Sequence, residues 1–283
     1  MQYEQDELRR LQMVELGILR DIDKVCREHG IRYFLDSGTL LGAVRHGGFI
    51  PWDDDVDVGM MRPDYERFLE VAPKALGEGY AVCEPRSHPK FAGMFAKVWK
   101  RGTKFSTDES IEAGIDQGIF VDVFPYDALH DDPAIAAKQR LRCRLWQSAS
   151  YLLHSRHITV PHGGAMGALE KAACAVAHVG ARIALSHDSV VRSFDSWAIR
   201  GAERPSRSYM NMAYVTSSAF PEDVLAVGDE VLFEGASFPA PARIEAYLET
   251  MYGSNWRELP PLEARRNHVP VELDFGDAEL AIT

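Results

Sequence analysis

"DSGTLLGAVRHGGFIPWDDDVDVGM", residues 36–60, places five aspartates around a small-residue turn and a short apolar run. The middle, TLLGAVRH, has helical spacing, and Gly47, Gly48 and Pro51 break it into a loop. Beyond the loop, the pattern predicts a strand over Val56–Met60. Side chains in a strand alternate faces, so Asp55 and Asp57 point the same way while Val56 and Val58 point into the opposite layer. Asp53 can join that pair from the loop. For Asp53 and Asp54 alone, a solvated turn is the ordinary explanation. It serves Asp57 badly, because valines flank it on both sides. Carboxylates this close repel one another, and partial burial makes the repulsion costly. A hard divalent cation, Mg²⁺ or Mn²⁺, relieves it and keeps coordination positions open for phosphate oxygens.

Working outward, Leu8, Leu11, Val14, Leu16, Ile18, Leu19, Ile22 and Val25 recur at helical spacing, predicting a helix over 7–29 that stops at Gly30. IRYFLDSG reads as a short strand entering a turn, and a second helix is expected over Pro63–Leu76, with proline in its first turn. Phe91–Ser106 suggests a hairpin turning near Arg101 and Gly102. GIFVDVFPYD, residues 118–127, reads as a buried strand stopped by Pro125. This order predicts an α+β fold, a mixed sheet flanked by helices. Residues 1–130 form the expected catalytic core. Residues 131–207 form a helical insertion suited to binding an acceptor, and 208–283 pack back on the core and end, after Pro260-Pro261, in a polar tail.

Asp122 is the only charge within the apolar run 119–124. An unpaired buried aspartate costs several kcal/mol, so it needs a metal, a cation or a dense set of hydrogen bonds. Alone it is as well explained by a structural ion pair; beside a DxD strand it becomes a third carboxylate, either general base or metal ligand. Ser37, Gly38 and Thr39 lie between a strand and a helix, where backbone N–H groups bind phosphate and glycine admits close approach, although Ser-Gly-Thr also serves as a plain cap. Arg45, Lys97 and Lys100 are phosphate candidates. Arg45 also suits a helix C-terminus, whereas Lys97 sits within apolar FAKVW. Trp52, Trp99 and Phe124 are core or pocket lining. His154, His157 and His162 cluster without a zinc-ligand spacing.

The chain has 283 residues, 46% hydrophobic, enough for a sizeable core. A net charge of −11 argues against broad nucleic-acid binding. Cys26, Cys83, Cys143 and Cys174 form no CxxC pair, which favours reduced thiols and a cytoplasmic location. No signal-peptide pattern and no span of about 18 apolar residues is present, leaving a soluble protein with room for peripheral contact at the inner face of a membrane.

YFLDSGTLLGAVRHGGFIPWDDDVDVGM, FAKVWKRGTKF, GIFVDVFPYD and LFEGASFPAPARIEAYLETMYGSNWRELPPLEARRNH together resemble the LicD family, which includes lipopolysaccharide cholinephosphotransferases and is related to fukutin-related protein. Residues 131–207 match it only loosely. The resemblance implies a nucleotidyltransferase-like fold. It implies Mg²⁺-dependent transfer of a phospho-alcohol from CDP-choline, CDP-ribitol or CDP-glycerol to a hydroxyl of a lipopolysaccharide, a teichoic acid or a small acceptor, releasing CMP. It places the acidic motif on Asp53, Asp55 and Asp57 and the later strand carboxylate on Asp122. It matches Arg266 and His268 to the closing basic element, with His268 on the substrate side. Two other readings keep the same residues: transfer of NMP from a nucleoside triphosphate, and an inactive nucleotide- or glycan-binding module.

Overall fold

The computed structural model describes residues 3–155, 164–202, 206–214, 218–265, 267–276 and 278. Helix α1 spans Gln5–His29, with Asp6 and Glu7 in its first turn and Arg27 and His29 in its last, complementing the helix dipole at both ends. It buries Leu11, Leu16, Ile18, Leu19 and Ile22 completely, or nearly so; each such side chain contributes about 1.5–3 kcal/mol over exposure. Strand β1 (Phe34–Leu35) leads through Asp36 into α2 (Ser37–His46), which ends at Gly47 with φ 73°. This left-handed cap suits glycine. Strand β2 (Asp57–Met61) follows, then α3 (Arg62–Ala75), β3 (Tyr80–Cys83), β4 (Ala96–Lys100), β5 (Lys104–Ser106), the short α4 (Asp108–Ala113) and the long β6 (Phe120–Ala128).

The main sheet runs β1-β2-β6-β4-β3, with β2 parallel to β6 and the other pairs antiparallel. Helices α1 and α3 pack against this sheet. It is a mixed sheet flanked by helices, as the sequence predicts. Two local expectations change. β4 and β5 do not form a hairpin, because β4 pairs with β3 and β6, whereas β5 turns away to pair with β11 (Glu272–Asp274). Nor does Pro125 stop β6. On one side β6 pairs with β4 as far as Val123 and with β7 (Ser208–Asn211) from Tyr126 onward. Pro125 falls in the gap between the two, where a missing N–H breaks no bond on that edge.

The middle of the chain is helical: α5 (Pro133–His154), α6 (Gly164–Ala184) and α7 (His187–Ala198). Buried Gln139 of α5 donates its amide N–H to the carbonyls of Ala128 and Ala198, tying this unit to the end of β6. After β7 come β8 (Ala219–Pro221), α8 (Glu222–Leu225), the β9–β10 hairpin (Val227–Phe233 and Ala236–Pro241) and α9 (Ile244–Tyr252). The stretch expected to be a polar tail is instead a strap: His268 meets the acidic loop, and β11 extends β5.

Candidate functional site

The sheet register assembles the centre of the site. Asp57 of β2 pairs with Asp122 of β6, and Asp122 pairs in turn with Lys97 of β4, so three charged residues lie side by side across three adjacent strands. Lys97 Nζ stands 2.6 Å from Asp122 Oδ1 and 3.4 Å above the Phe120 ring. Alternation along β6 then sends Phe120, Asp122, Phe124 and Tyr126 to one face, where they line a cavity of about 690 Å³ with Ser37, Gly38, Asp53, Asp55, Asp57 and His268. Val56 and Val58 are buried on the opposite side.

Asp53, Asp55, Asp57 and Asp122 therefore share one cavity, which Glu109 also lines. Burial, reinforced by its carboxylate neighbours, pushes Asp53 up to about 8. Burial, with Asp122 and Asp54 adding to it, pushes Asp55 to about 6. Asp57 lies well above the ordinary range for the same reasons, and burial raises Asp122 against the pull of Lys97. Among the described residues, Lys97 is engaged by Asp122, His268 by Asp54, and Lys90 of the lining donates to the Gly114 carbonyl. Oxygen donors that repel one another at this burial suit a hard divalent cation. The residues present fit one.

Asp54 faces a different task, which the sequence reading missed. It is fully buried and accepts hydrogen bonds from Tyr3 Oη (2.8 Å), the backbone N–H of His268 (2.8 Å) and that of Val269 (3.1 Å), with His268 Nδ1 at 3.1 Å. Although burial works against ionisation, these bonds hold its carboxyl below the usual range. The hydrogen bond to Asp54 pushes the His268 imidazole up to about 9, against burial and with help from Asp55. Asp54, Asp55 and His268 bring ligand atoms within 4.8 Å of one another, closer than the expected Asp53, Asp55 and Asp57 set. The oxygens of Asp54 are already filled, however, so it acts as a latch that folds the strap over the site. Among the described residues the carboxylates of Asp53 and Asp57 accept no such bonds, and Asp55 Oδ2 stands 3.6 Å from His268 Nδ1.

The Ser37-Gly38-Thr39 turn is built differently from a simple phosphate cradle. Asp36, fully buried, accepts from Ser37 N–H at 2.7 Å, from Tyr126 Oη at 2.9 Å and from Tyr247 Oη. Ser37 is thereby held at φ 45°, a conformation costing a non-glycine residue about 1–3 kcal/mol. Thr39 is buried, and its Oγ1 accepts the N–H of Asp57 at 2.8 Å, fixing the start of β2. A Cβ on Gly38 would lie 2.8 Å from Asp53 Oδ2. Glycine here therefore admits a carboxylate from the chain itself.

Of the expected binding residues, Ser37, Gly38, Lys97 and His268 line the cavity; Thr39, Arg45 and Trp52 do not. Arg45 donates to the carbonyls of Trp256 and Glu258, and the Trp52 ring lies under the Arg265 guanidinium at 4.2 Å. Trp99 is absent from the lining too. Its aromatic wall consists instead of Phe91, Phe95, Phe124 and Tyr214, with successive ring centroids 5.7, 4.6 and 6.4 Å apart. Tyr151 and His154 from the end of α5 complete that side. His154 pairs with His187 at 3.2 Å. His157, His162 and Arg266 lie outside the described residues.

Beneath the acidic loop α1 contributes two more residues. Gln12 donates to the Asp53 carbonyl at 2.9 Å. Glu15 is fully buried, and neither of its carboxylate oxygens has a hydrogen-bond partner. Burial, and then the aspartates above it, push its carboxyl well above the ordinary range. A signal for Glu15 was present in the sequence: four residues after Leu11 and between Val14 and Leu16, it is a charge on the apolar stripe.

Residues 30–143 match the model described as LicD/FKTN/FKRP, nucleotidyltransferase domain. This stretch covers 114 of the 283 residues. It contains Asp53, Asp55, Asp57, Lys97 and Asp122, whereas Glu15 and His268 fall outside the matched residues. The chain is 39% identical over 129 residues to the lipopolysaccharide cholinephosphotransferase LicD of Haemophilus influenzae, covering 45% of this chain and 47% of that protein. A shorter match, 60% identical over 35 residues, links it to the ribitol 5-phosphate transferase FKRP of Homo sapiens, covering 12% of this chain and 7% of that one. The matches thus span less than half the length of these relatives.

Proposed function

We propose that the protein transfers a phospho-alcohol, phosphocholine foremost, from a CDP-alcohol to a hydroxyl of a cell-surface glycan and releases CMP, working at the cytoplasmic face of a membrane. The observation carrying this reading is the cavity itself, with a row of carboxylates on one side and an aromatic wall on the other. Its volume of about 690 Å³ suits a nucleotide-sized donor. Aromatic faces attract quaternary ammonium groups, so Phe95, Phe124 and Tyr214 favour choline over ribitol or glycerol. The activities named for the relatives, cholinephosphotransferase and ribitol 5-phosphate transferase, point to the same class.

Asp53, Asp55 and Asp57 would hold Mg²⁺ or Mn²⁺, which neutralises diphosphate charge and stabilises the departing phosphate. The acceptor oxygen attacks the phosphorus that bears the alcohol, a P–O bond forms, and the P–O bond to CMP breaks. Asp122 takes the proton of the acceptor hydroxyl. Lys97, on the neighbouring strand, orients the Asp122 carboxylate through their 2.6 Å contact. His268 and the strap, latched by Asp54, close the site on the side of the acidic loop.

The test is CMP release from CDP-choline, CDP-ribitol and CDP-glycerol with a glycan acceptor, in Mg²⁺, Mn²⁺ or EDTA. Metal-dependent release, fastest with CDP-choline and lost on Asp57→Asn, is expected. A product that gains a nucleotide from CTP or ATP instead would overturn the reading.

A further inference from the structure

Helix α6 carries an apolar surface that the transfer chemistry does not use. Met166, Leu169, Val176, Val179 and Ile183 are between 56% and 82% exposed. The other exposed positions on the same face of the helix are alanines and Gly180. At about 100° per residue these positions sweep roughly 200° of the helix circumference without a charge. Lys171 and Arg182 are exposed along one border of this arc. On the opposite side His178 Nδ1 meets the Leu152 carbonyl at 2.7 Å, fixing which face turns toward α5.

Two features choose the occupant of this surface. The first is its shape: a helix–helix seam is a narrow stripe of large side chains, whereas this arc is broad and shallow, with alanine and glycine at many positions. The second is charge. Residues 133–184 carry seven Lys or Arg and one Glu, net +6, in a chain of net −11, so the remainder carries −17. Such a molecule orients its α5–α6 end toward an anionic surface and its acidic body away from it. Among the described residues no helix is long and apolar enough to cross a membrane. A helix of 21 residues with this pattern suits lying along an interface, its apolar arc among the acyl chains and its border cations at the headgroups.

We infer that α6 docks the protein on the surface of an anionic lipid bilayer. Tyr151 and His154, at the end of the adjoining α5, line the catalytic cavity, so docking would bring that cavity to the membrane and select acceptors anchored there. Lipid binding does not depend on the transfer reaction, so failure of one is distinguishable from failure of the other.

The experiment is vesicle flotation of the full chain without donor, comparing phosphatidylcholine vesicles with vesicles containing one-third phosphatidylglycerol. Binding to the anionic vesicles is expected, weakening at least tenfold between low and high salt. It should weaken at least tenfold in Val176→Glu/Ile183→Glu and severalfold in Lys171→Glu/Arg182→Glu, with circular dichroism unchanged. Val179→Trp gives a separate readout, a blue shift of added tryptophan fluorescence on anionic vesicles only. Absence of both binding and blue shift would overturn the inference. So would a concentration-dependent dimer that Val176→Glu/Ile183→Glu dissociates while lipid binding is absent, since the face would then belong to a second copy.

Discussion

Replacing Asp53 with Asn should make the metal-free protein more stable and the metal-bound protein less responsive. In the fold the Asp53 carboxyl is pushed to about 8, while in an unfolded chain an aspartate titrates near 3.9. A group raised in this way contributes stability that is fully present below pH ~4 and is lost as pH rises through about 8. Each pH unit in that window costs about 1.4 kcal/mol, so at pH 7.5 the cost reaches at most about 5 kcal/mol. Water entry and relaxation of the loop reduce it, and about 2–4 kcal/mol is the expected gain from Asp53→Asn. Asn does not titrate, and it also relieves Asp55 and Asp57 of a like charge. The assay is urea unfolding in EDTA at pH 5.5 and 7.5, repeated with Mg²⁺. The wild type should lose stability between the two pH values and regain it with Mg²⁺. The variant should change less with pH and gain less from the metal. Equal pH slopes and equal Mg²⁺ responses in the two proteins would refute the reasoning.

Two further substitutions separate the parts of the site. Gly38→Ala places a Cβ 2.8 Å from Asp53 Oδ2; that carboxylate can swing away, so unfolding stability should change by less than about 1 kcal/mol while CMP release falls about 10²-fold. Asp54→Ala leaves the N–H groups of His268 and Val269 and the hydroxyl of Tyr3 without their acceptor. It should cost about 3 kcal/mol or more in urea unfolding and expose the 267–276 strap to proteolysis.

His268 sets the upper pH limit of that latch. Its imidazole is raised to about 9, so its contribution is present below about pH 6.5 and lost as pH rises through about 9. Its side chain is 62% exposed, so solvent screens the ion pair, and the three other bonds to Asp54, from Tyr3 Oη and the N–H groups of His268 and Val269, carry most of the latch.

The local parts of this protein were legible in the sequence because they depend on periods of two and 3.6 residues. Alternation around Val56 and Val58 turned Asp57 toward the cavity side, the apolar run isolated Asp122, and helical spacing marked α1 and α3 to within two residues at each end. The mixed sheet followed from the order of those elements. Tertiary structure decided which segments meet. The parallel register of β2 with β6 put Asp57 beside Asp122, 65 positions later, and the antiparallel register of β4 put Lys97 on the other side of Asp122. Asp54 became a latch because a strap 214 positions away delivered His268 to it. Glu15 became an acid without a partner because α1 passes beneath the acidic loop. β5 left its neighbour because β11 offered it an edge, and Pro125 was tolerated because two partner strands leave a gap at it. Chain-local patterns state which face a residue shows, but the pairing of distant segments is settled by the packing energy of the whole core.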